Sequence, residues 1–241
     1  YHLFYTANNG TNSQIGHATS PDGITWTRDA ANPVLEIGDE GPFTSHHVIS
    51  PAVLYEDGQF VMWYAGYNYD ARMYSIFKAT SPDGSNFTRQ GLCISPGTAG
   101  EADLASSYNP VVYHRGDTYH MWYTGSAPIG VTGCYATSPD GDNWTAQPGT
   151  AICPDPNNSY ESNHTSPKSV IPTNEGVRIY YQSYDGTSYV SCAAEMELGQ
   201  EPTPTPTPVP ADFDEDGDVD ADDLMIFRKY WGTDQLQQDP Q

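Results

Sequence analysis

The 241-residue chain is short of basic residues: nine Lys and Arg face 31 Asp and Glu, a formal net charge of −22. Phosphate-rich partners need a Lys/Arg surface, so this balance excludes nucleic acid as an expected partner and disfavours anionic membranes. Long apolar runs are missing too. No stretch approaches the ~20 residues that span a bilayer, so no membrane span is expected. Hydrophobic content is 37%, and the 22 glycines raise it to an ordinary level, so a packed core is possible. Cysteine is scarce. Cys93, Cys134, Cys153 and Cys192 show no metal-like Cys-x-x-Cys spacing and read either as buried thiols or as one or two disulfides, in any of three pairings. Phenylalanine is outnumbered by tyrosine, 7 to 18. Tyr and Trp at this density suit β-sheet and also polar ligands such as sugars.

What is abundant is self-similarity. Ser-Pro-Asp-Gly stands at 20–23, 81–84 and 138–141, each preceded by Ala-Thr and followed by Trp26-Thr27, Phe87-Thr88 or Trp144-Thr145. Upstream, Phe4-Tyr5, Trp63-Tyr64, Trp122-Tyr123 and Tyr180-Tyr181 recur at offsets of 58 or 59, and further upstream lie Pro51, Pro110 and Pro167. Each unit reads as four short antiparallel strands, with Ser-Pro-Asp-Gly supplying a turn in which Asp caps the backbone and the following aromatic packs between sheets. Four strands per repeat of this length is the grammar of a β-propeller blade. The predicted fold class is therefore all-β. Residues 1–35 supply the last three strands of a blade, 36–95 and 96–153 two complete blades, and 154–198 a final blade with no evident fourth strand. The total, about 3.5 blades, falls below the ~4–8 of closed rings and predicts part of a five-bladed propeller lacking about one and a half N-terminal blades.

The run Ile15-Gly16-His17-Ala18-Thr19-Ser20-Pro21-Asp22-Gly23-Ile24-Thr25-Trp26-Thr27, with Asn32-Pro33-Val34-Leu35 and the Met-Trp-Tyr strands, resembles the five-bladed propeller glycosidases of glycoside hydrolase families 43, 32 and 130. The resemblance covers residues 1–198. It implies an axial funnel where residues preceding each innermost strand converge, with two carboxyl groups flanking the glycosidic bond. Among the approach segments, Asp103 and Glu161 are the candidate catalytic carboxylates. His46, His47 and His164 are candidate funnel-lining residues that can hydrogen-bond sugar hydroxyls. Tyr108 and Tyr160 are candidates for stacking on a sugar ring. No Glu stands near His46-His47, where family 43 places its acid. The expected partner is a polysaccharide or oligosaccharide, with hydrolysis by the intact parent as one reading; a non-catalytic glycan-binding or structural propeller is the alternative.

The tail differs from the body: residues 201–241 hold 11 acids and 2 bases. After the propeller at 1–199, residues 200–211 form a Thr-Pro linker expected near polyproline II. In the module at 212–241, Asp212, Asp214, Asp216, Asp218, Asp220 and Asp223 occupy the spacing of a calcium loop with Gly217 at its sharp turn, and one helix follows. This loop-helix is EF-hand-like and resembles a single type I dockerin repeat. The resemblance implies calcium as cofactor, a cohesin-type scaffold or cell-surface partner, and a secreted, extracellular location. Ala221 and Asp222 stand where dockerins often carry small hydroxyl residues.

Overall fold

The computed structural model describes residues 1–38, 44, 46–128, 130–147, 151–152, 164–174, 176–184, 186–198 and 209–210, without the side chains of 101, 209 and 210. Tyr160, Glu161, Cys153 and the aspartate loop at 212–223 lie outside them. The described residues hold no α-helix, with 3₁₀ geometry at Thr44 and a 3₁₀ turn at Gly100–Ala102. Everything else regular is strand.

Four separate antiparallel sheets follow one another along the chain. The first has three strands: β1 (His2–Asn8), β2 (Ser13–Thr19) and β3 (Thr27–Arg28). The second runs β4 (Val48–Glu56), β5 (Gln59–Asn68), β6 (Met73–Ser81) and β7 (Thr88–Ile94). The third contains β8 (Ser106–Arg115), β9 (Thr118–Ala127), β10 (Gly130–Ser138) and β11 (Thr145–Ala146). The fourth contains β12 (Thr165–Pro172), β13 (Gly176–Tyr184), β14 (Tyr189–Glu197) and β15 (Val209–Pro210). The three-stranded first sheet and the four-stranded second and third match the strand count expected for the first three units. The fourth unit departs from expectation: Val209 and Pro210, at the end of the Thr-Pro run, pair with Ala193 and Cys192 of β14. A Pro can occupy such an edge because it offers no outward donor to lose.

Ser-Pro-Asp-Gly makes the same turn three times. Ser20 Oγ donates to Asp22 Oδ1 at 2.9 Å and accepts from the Gly23 amide at 2.8 Å. Asp22 Oδ1 also accepts from the amides of Ile24 and Thr25. Ser81–Asp83 and Ser138–Asp140 repeat this pattern. The two backbone amides are the main reason why the Asp22 carboxyl is held down to about 2. The turn glycines need φ of +75°, +80° and +71° at Gly23, Gly84 and Gly141, a conformation costly for residues with a Cβ.

The middle strands of the second and third sheets are largely buried on both faces, as near-continuous apolar runs require. Along β5, Met62 and Tyr64 join Ile15, Val34 and Leu35 between the first two sheets. Val61 and Trp63 face the other way and join Met121, Tyr123 and Ala136 between the second and third. A third layer, with Trp122, Ile152, Val177, Ile179 and Tyr181, lies between the third and fourth. The core is thus three inter-sheet layers.

In the first two units, an aromatic side chain of the second strand locks onto the turn of the next unit. Phe4 stands edge-on to Phe87, centroids 5.7 Å apart at 88°. Trp63 stands edge-on to Trp144 at 6.1 Å, also at 88°. Trp63 Nε1 donates to the Gly141 carbonyl at 2.9 Å, and Lys78 pairs with Asp142 beside it at 2.8 Å. Trp122 occupies the equivalent place in the third unit, but the fourth has no Ser-Pro-Asp-Gly turn. Trp122 is fully buried, and its Nε1 has no hydrogen-bond partner among the described residues.

Cys93 and Cys134 are free thiols, in line with the thiol reading for these two. Burial pushes the Cys93 and Cys134 thiols up to about 12.

The two tryptophans give a direct test of the locking contact. Trp63→Phe loses a buried hydrogen bond, whereas Trp122→Phe removes a donor that has no partner. In urea denaturation, Trp63→Phe is expected to cost about 1–2 kcal/mol more than Trp122→Phe.

Candidate functional site

The innermost strands β4, β8 and β12 pack side by side about the axis, and β1 packs against β4. The residues directly before their prolines, Ser50, Asn109 and Ser166, meet there. Ser50 Oγ donates to Asn109 Oδ1 at 2.7 Å. Asn109 Nδ2 lies 3.4 Å from Ser166 Oγ and 3.5 Å from Thr124 Oγ1. The Thr124 and Ser166 hydroxyls bond one another at 2.7 Å, and Thr6 Oγ1 accepts from the Ser50 amide at 2.9 Å. One chain of neutral polar groups therefore crosses all four units. Ser50 and Asn109 have φ of +56° and +51°, where the strand ladder slips between Ile49 and Ala52 and between Tyr108 and Val111. Such bulges re-aim side chains away from the regular faces of a sheet.

Beside these ends runs a belt of aromatic rings. His46 stacks on Tyr69 at 4.4 Å and stands 6.4 Å from His47. His47 leans on Tyr67 at 5.7 Å, Tyr67 on Tyr74 at 4.8 Å, and Tyr74 on Tyr108 at 5.7 Å. On the far side His164 meets Tyr189 at 5.4 Å, and Tyr189 meets Tyr184 at 5.1 Å. Burial, then the neighbouring Tyr189 and Tyr74, raises the Tyr108 hydroxyl above the usual phenol range. Tyr69 and Tyr189, 59% and 60% exposed, offer ring faces to solvent.

The histidines also have a structural task. The Ser13 amide donates to His47 Nδ1 at 3.2 Å, which places the ring proton on Nε2. In the next unit the Tyr74 amide donates to Ser106 Oγ at 3.0 Å, and in the next His164 bridges to Val131. His47, Ser106 and His164 thus hold equivalent places, each seaming an inner strand to the preceding sheet. Burial, then the neighbouring His46, lowers the His47 pKa; burial, then Lys168, lowers that of His164. Both favour neutral rings.

The structure brings His46, His47, Tyr108 and His164 into this belt. Asp103 sits apart from it, with 0% exposure. Its Oδ1 accepts from the Ala99 amide at 3.1 Å, and its Oδ2 from the hydroxyls of Ser107 and Tyr123, both at 3.0 Å. Its carbonyl accepts from the Gly97 amide at 3.1 Å, just as the Thr44 carbonyl accepts from Gly38 one unit earlier. Asp103 closes a loop that recurs in the repeat. Burial, together with Cys134 and Asp103, drives the Tyr123 phenol far above its usual range. Counting on from Asp103 by the 58 residues that separate Ser106 from His164 reaches Glu161. Among the described residues no three His, Cys, Asp or Glu side chains cluster as a metal site requires.

Tyr67, Tyr69, Tyr74, Tyr184 and Tyr189 were not singled out from sequence. A signal existed: Tyr67–Tyr74 and Tyr184–Tyr189 are cross-strand pairs beside the turn that ends the second strand of their units. The Ser50–Asn109–Ser166 contact had one as well, since each of the three stands directly before a recurring proline.

No protein-family profile matches the sequence, and no curated protein matches it. Solved structures do. A GH130-family structure, from work on glycoside hydrolases that target β-1,2 mannosidic linkages in Candida mannan, matches with a TM-score of 0.68 and 20% identity over 87% of this chain and 66% of that one. The fold is that of the β-propeller glycosidases and phosphorylases. The β-1,2-mannobiose phosphorylase of Listeria innocua, in complex with β-1,2-mannobiose, matches at 0.62 and 20% over 81% of this chain and 54% of its own. A glycosyl hydrolase from Bacteroides ovatus matches at 0.64 and 18%, over 85% and 67%. The chain spans about half to two thirds of the length of these propeller structures.

Removing the Asp103 carboxylate leaves the buried Tyr123 hydroxyl and the Ala99 amide short of an acceptor. Asp103→Ala is expected to lower stability by about 3 kcal/mol in urea. A carboxylate with no part in holding the loop would leave the midpoint unchanged.

Proposed function

We propose that the protein engages a saccharide in the axial funnel, with sugar ring faces against the exposed tyrosines and hydroxyls against the neutral polar groups. The observation that carries this reading is the belt from Tyr69 and His46 to Tyr189 and His164 beside the converging inner strands. Aromatic rings with polar handles suit ligands that are apolar on one face and polar at the edge. The propeller neighbours lend support, one of them in complex with β-1,2-mannobiose.

Hydrolysis of a polysaccharide is the second reading, favoured by neighbours that are glycoside hydrolases. It would use Glu161 and Asp103 as the carboxylate pair, with Tyr160 stacking on the sugar. Because Asp103 is enclosed by Ala99, Ser107 and Tyr123, its part would be exerted through another group, by setting that group's charge, rather than by contact with substrate.

The proposal extends to the tail. Asp212, Asp214, Asp216, Asp218, Asp220 and Asp223 would hold calcium through hard carboxylate and carbonyl oxygens, and the module would tether an extracellular protein to a cohesin-type or cell-surface partner.

Two measurements test these readings. Calorimetric titration with β-1,2-mannobiose, cellobiose and xylobiose is expected to give saturable binding that Tyr69→Ala or Tyr189→Ala weakens about three- to tenfold, without loss of fold. Absence of binding across such a panel would reject the reading, and release of reducing sugar abolished by Glu161→Gln would favour hydrolysis. Calcium titration of the full chain is expected to saturate at submillimolar to millimolar calcium and to fail in Asp212→Ala/Asp216→Ala.

A further inference from the structure

Within the funnel, one side chain touches three units at once. Asn109 reaches Ser50 of the second, Thr124 of its own and Ser166 of the fourth, and it follows Tyr108 of the aromatic belt directly. We propose that Asn109, flanked by Ser50 and Ser166, is the floor of the funnel site and donates its side-chain N–H to a hydroxyl of an uncharged sugar ring. The inference rests on the saccharide-binding reading above and names the ligand class and the residue that reads it.

Three observations carry it. The first is unspent donor capacity. The amide oxygen is firmly engaged at 2.7 Å, but both Nδ2 contacts, at 3.4 and 3.5 Å, lie at the outer limit of a hydrogen bond. The Thr124 and Ser166 hydroxyls bond one another at 2.7 Å, a much shorter contact than either makes with that amide. Half-buried Asn109 therefore keeps two N–H protons with no short acceptor among the described residues.

The second is the backbone. Asn109 and Ser50 hold φ of +51° and +56° at equivalent places, each within a slip of the strand ladder. Asn adopts this conformation at low cost and Ser at a higher one. Its repetition at the axis is a sign of function, since strain persists where the surroundings over-determine it.

The third is neutrality. The hydrogen-bond partners of Asn109 are hydroxyls, with no ionised group among them. A charged ligand group placed against them would lose water without gaining a counter-charge. A neutral hydroxyl exchanges water for an amide donor at little cost. The same neutrality means that the floor by itself binds and does not transfer protons.

The full chain is titrated with β-1,2-mannobiose, cellobiose, xylobiose and a digalacturonate, using wild type, Tyr69→Ala and Asn109→Asp. Aspartate keeps the acceptor facing Ser50 but replaces the donor with a second acceptor. The expected result is neutral-disaccharide binding that Asn109→Asp weakens at least tenfold. In ¹⁵N-labelled wild type, the Asn109 side-chain amide pair should shift as that disaccharide is added. If Tyr69→Ala weakens binding while Asn109→Asp binds like wild type and the amide pair stays in place, the floor assignment is overturned and the belt reading stands. If Asn109→Asp does not fold, the wild-type amide signal decides the matter alone. Binding of the digalacturonate in preference to all neutral sugars overturns the ligand class. Failure to bind any of the four overturns both this inference and the reading beneath it.

Discussion

The architecture depends on one contact made repeatedly: an aromatic ring from the second strand of one unit seated edge-on against the aromatic that follows the turn of the next. Phe4 with Phe87 and Trp63 with Trp144 share the same 88° geometry. Edge-to-face packing aligns the positive ring edge with the negative ring face, so it fixes orientation as well as burying area. Neighbouring sheets are thereby held at a set angle, and that angle brings the leading ends of the inner strands together. Where the turn is absent, after Trp122, the indole is still buried but its N–H is left without a partner among the described residues.

Much of this fold can be read in the sequence, because each unit states its pattern more than once. The Ser-Pro-Asp-Gly spacing locates the turns, and the Trp-Tyr pairs locate the strands buried on both faces. The fourth unit was the hardest to read. Its outer strand is two residues long and falls at the end of a Thr-Pro run, where composition argues for an extended spacer rather than a sheet edge.

The site was legible in part. His46, His47, Tyr108 and His164 could be placed at the funnel because they precede strand-one prolines, and the structure gathers them into one belt. The tyrosines that complete it come from the turn ends of second and third strands, a different part of each unit. Asp103 shows the limit of residue type as a guide. A carboxylate close to an inner strand invites a catalytic role, yet its partners Ala99, Ser107 and Tyr123 make it the closure of a loop whose counterpart in the preceding unit is Thr44. Whether a carboxylate faces a ligand or its own loop depends on a single bond rotation that spacing does not record.

The slipped ladder at the start of each inner strand also bears on how such a chain tolerates change in length. A residue added within a regular strand would turn every later side chain to the opposite face and expel Trp63 or Tyr64 from its layer. At the bulge an extra residue is absorbed locally. In the second and third units the slip flanks Pro51 and Pro110, while in the fourth it falls between Pro167 and Ser169. His47, Ser106 and His164 stand five residues before Ala52, Val111 and Ser169, so the segment keeps its length in all three units and only the proline and the slip change place within it. The leading end of the inner strand is therefore a joint where the irregular residue can shift by one place without moving the strand that follows. The three outer strands keep their register, and the rim of the funnel can vary while its walls stay the same.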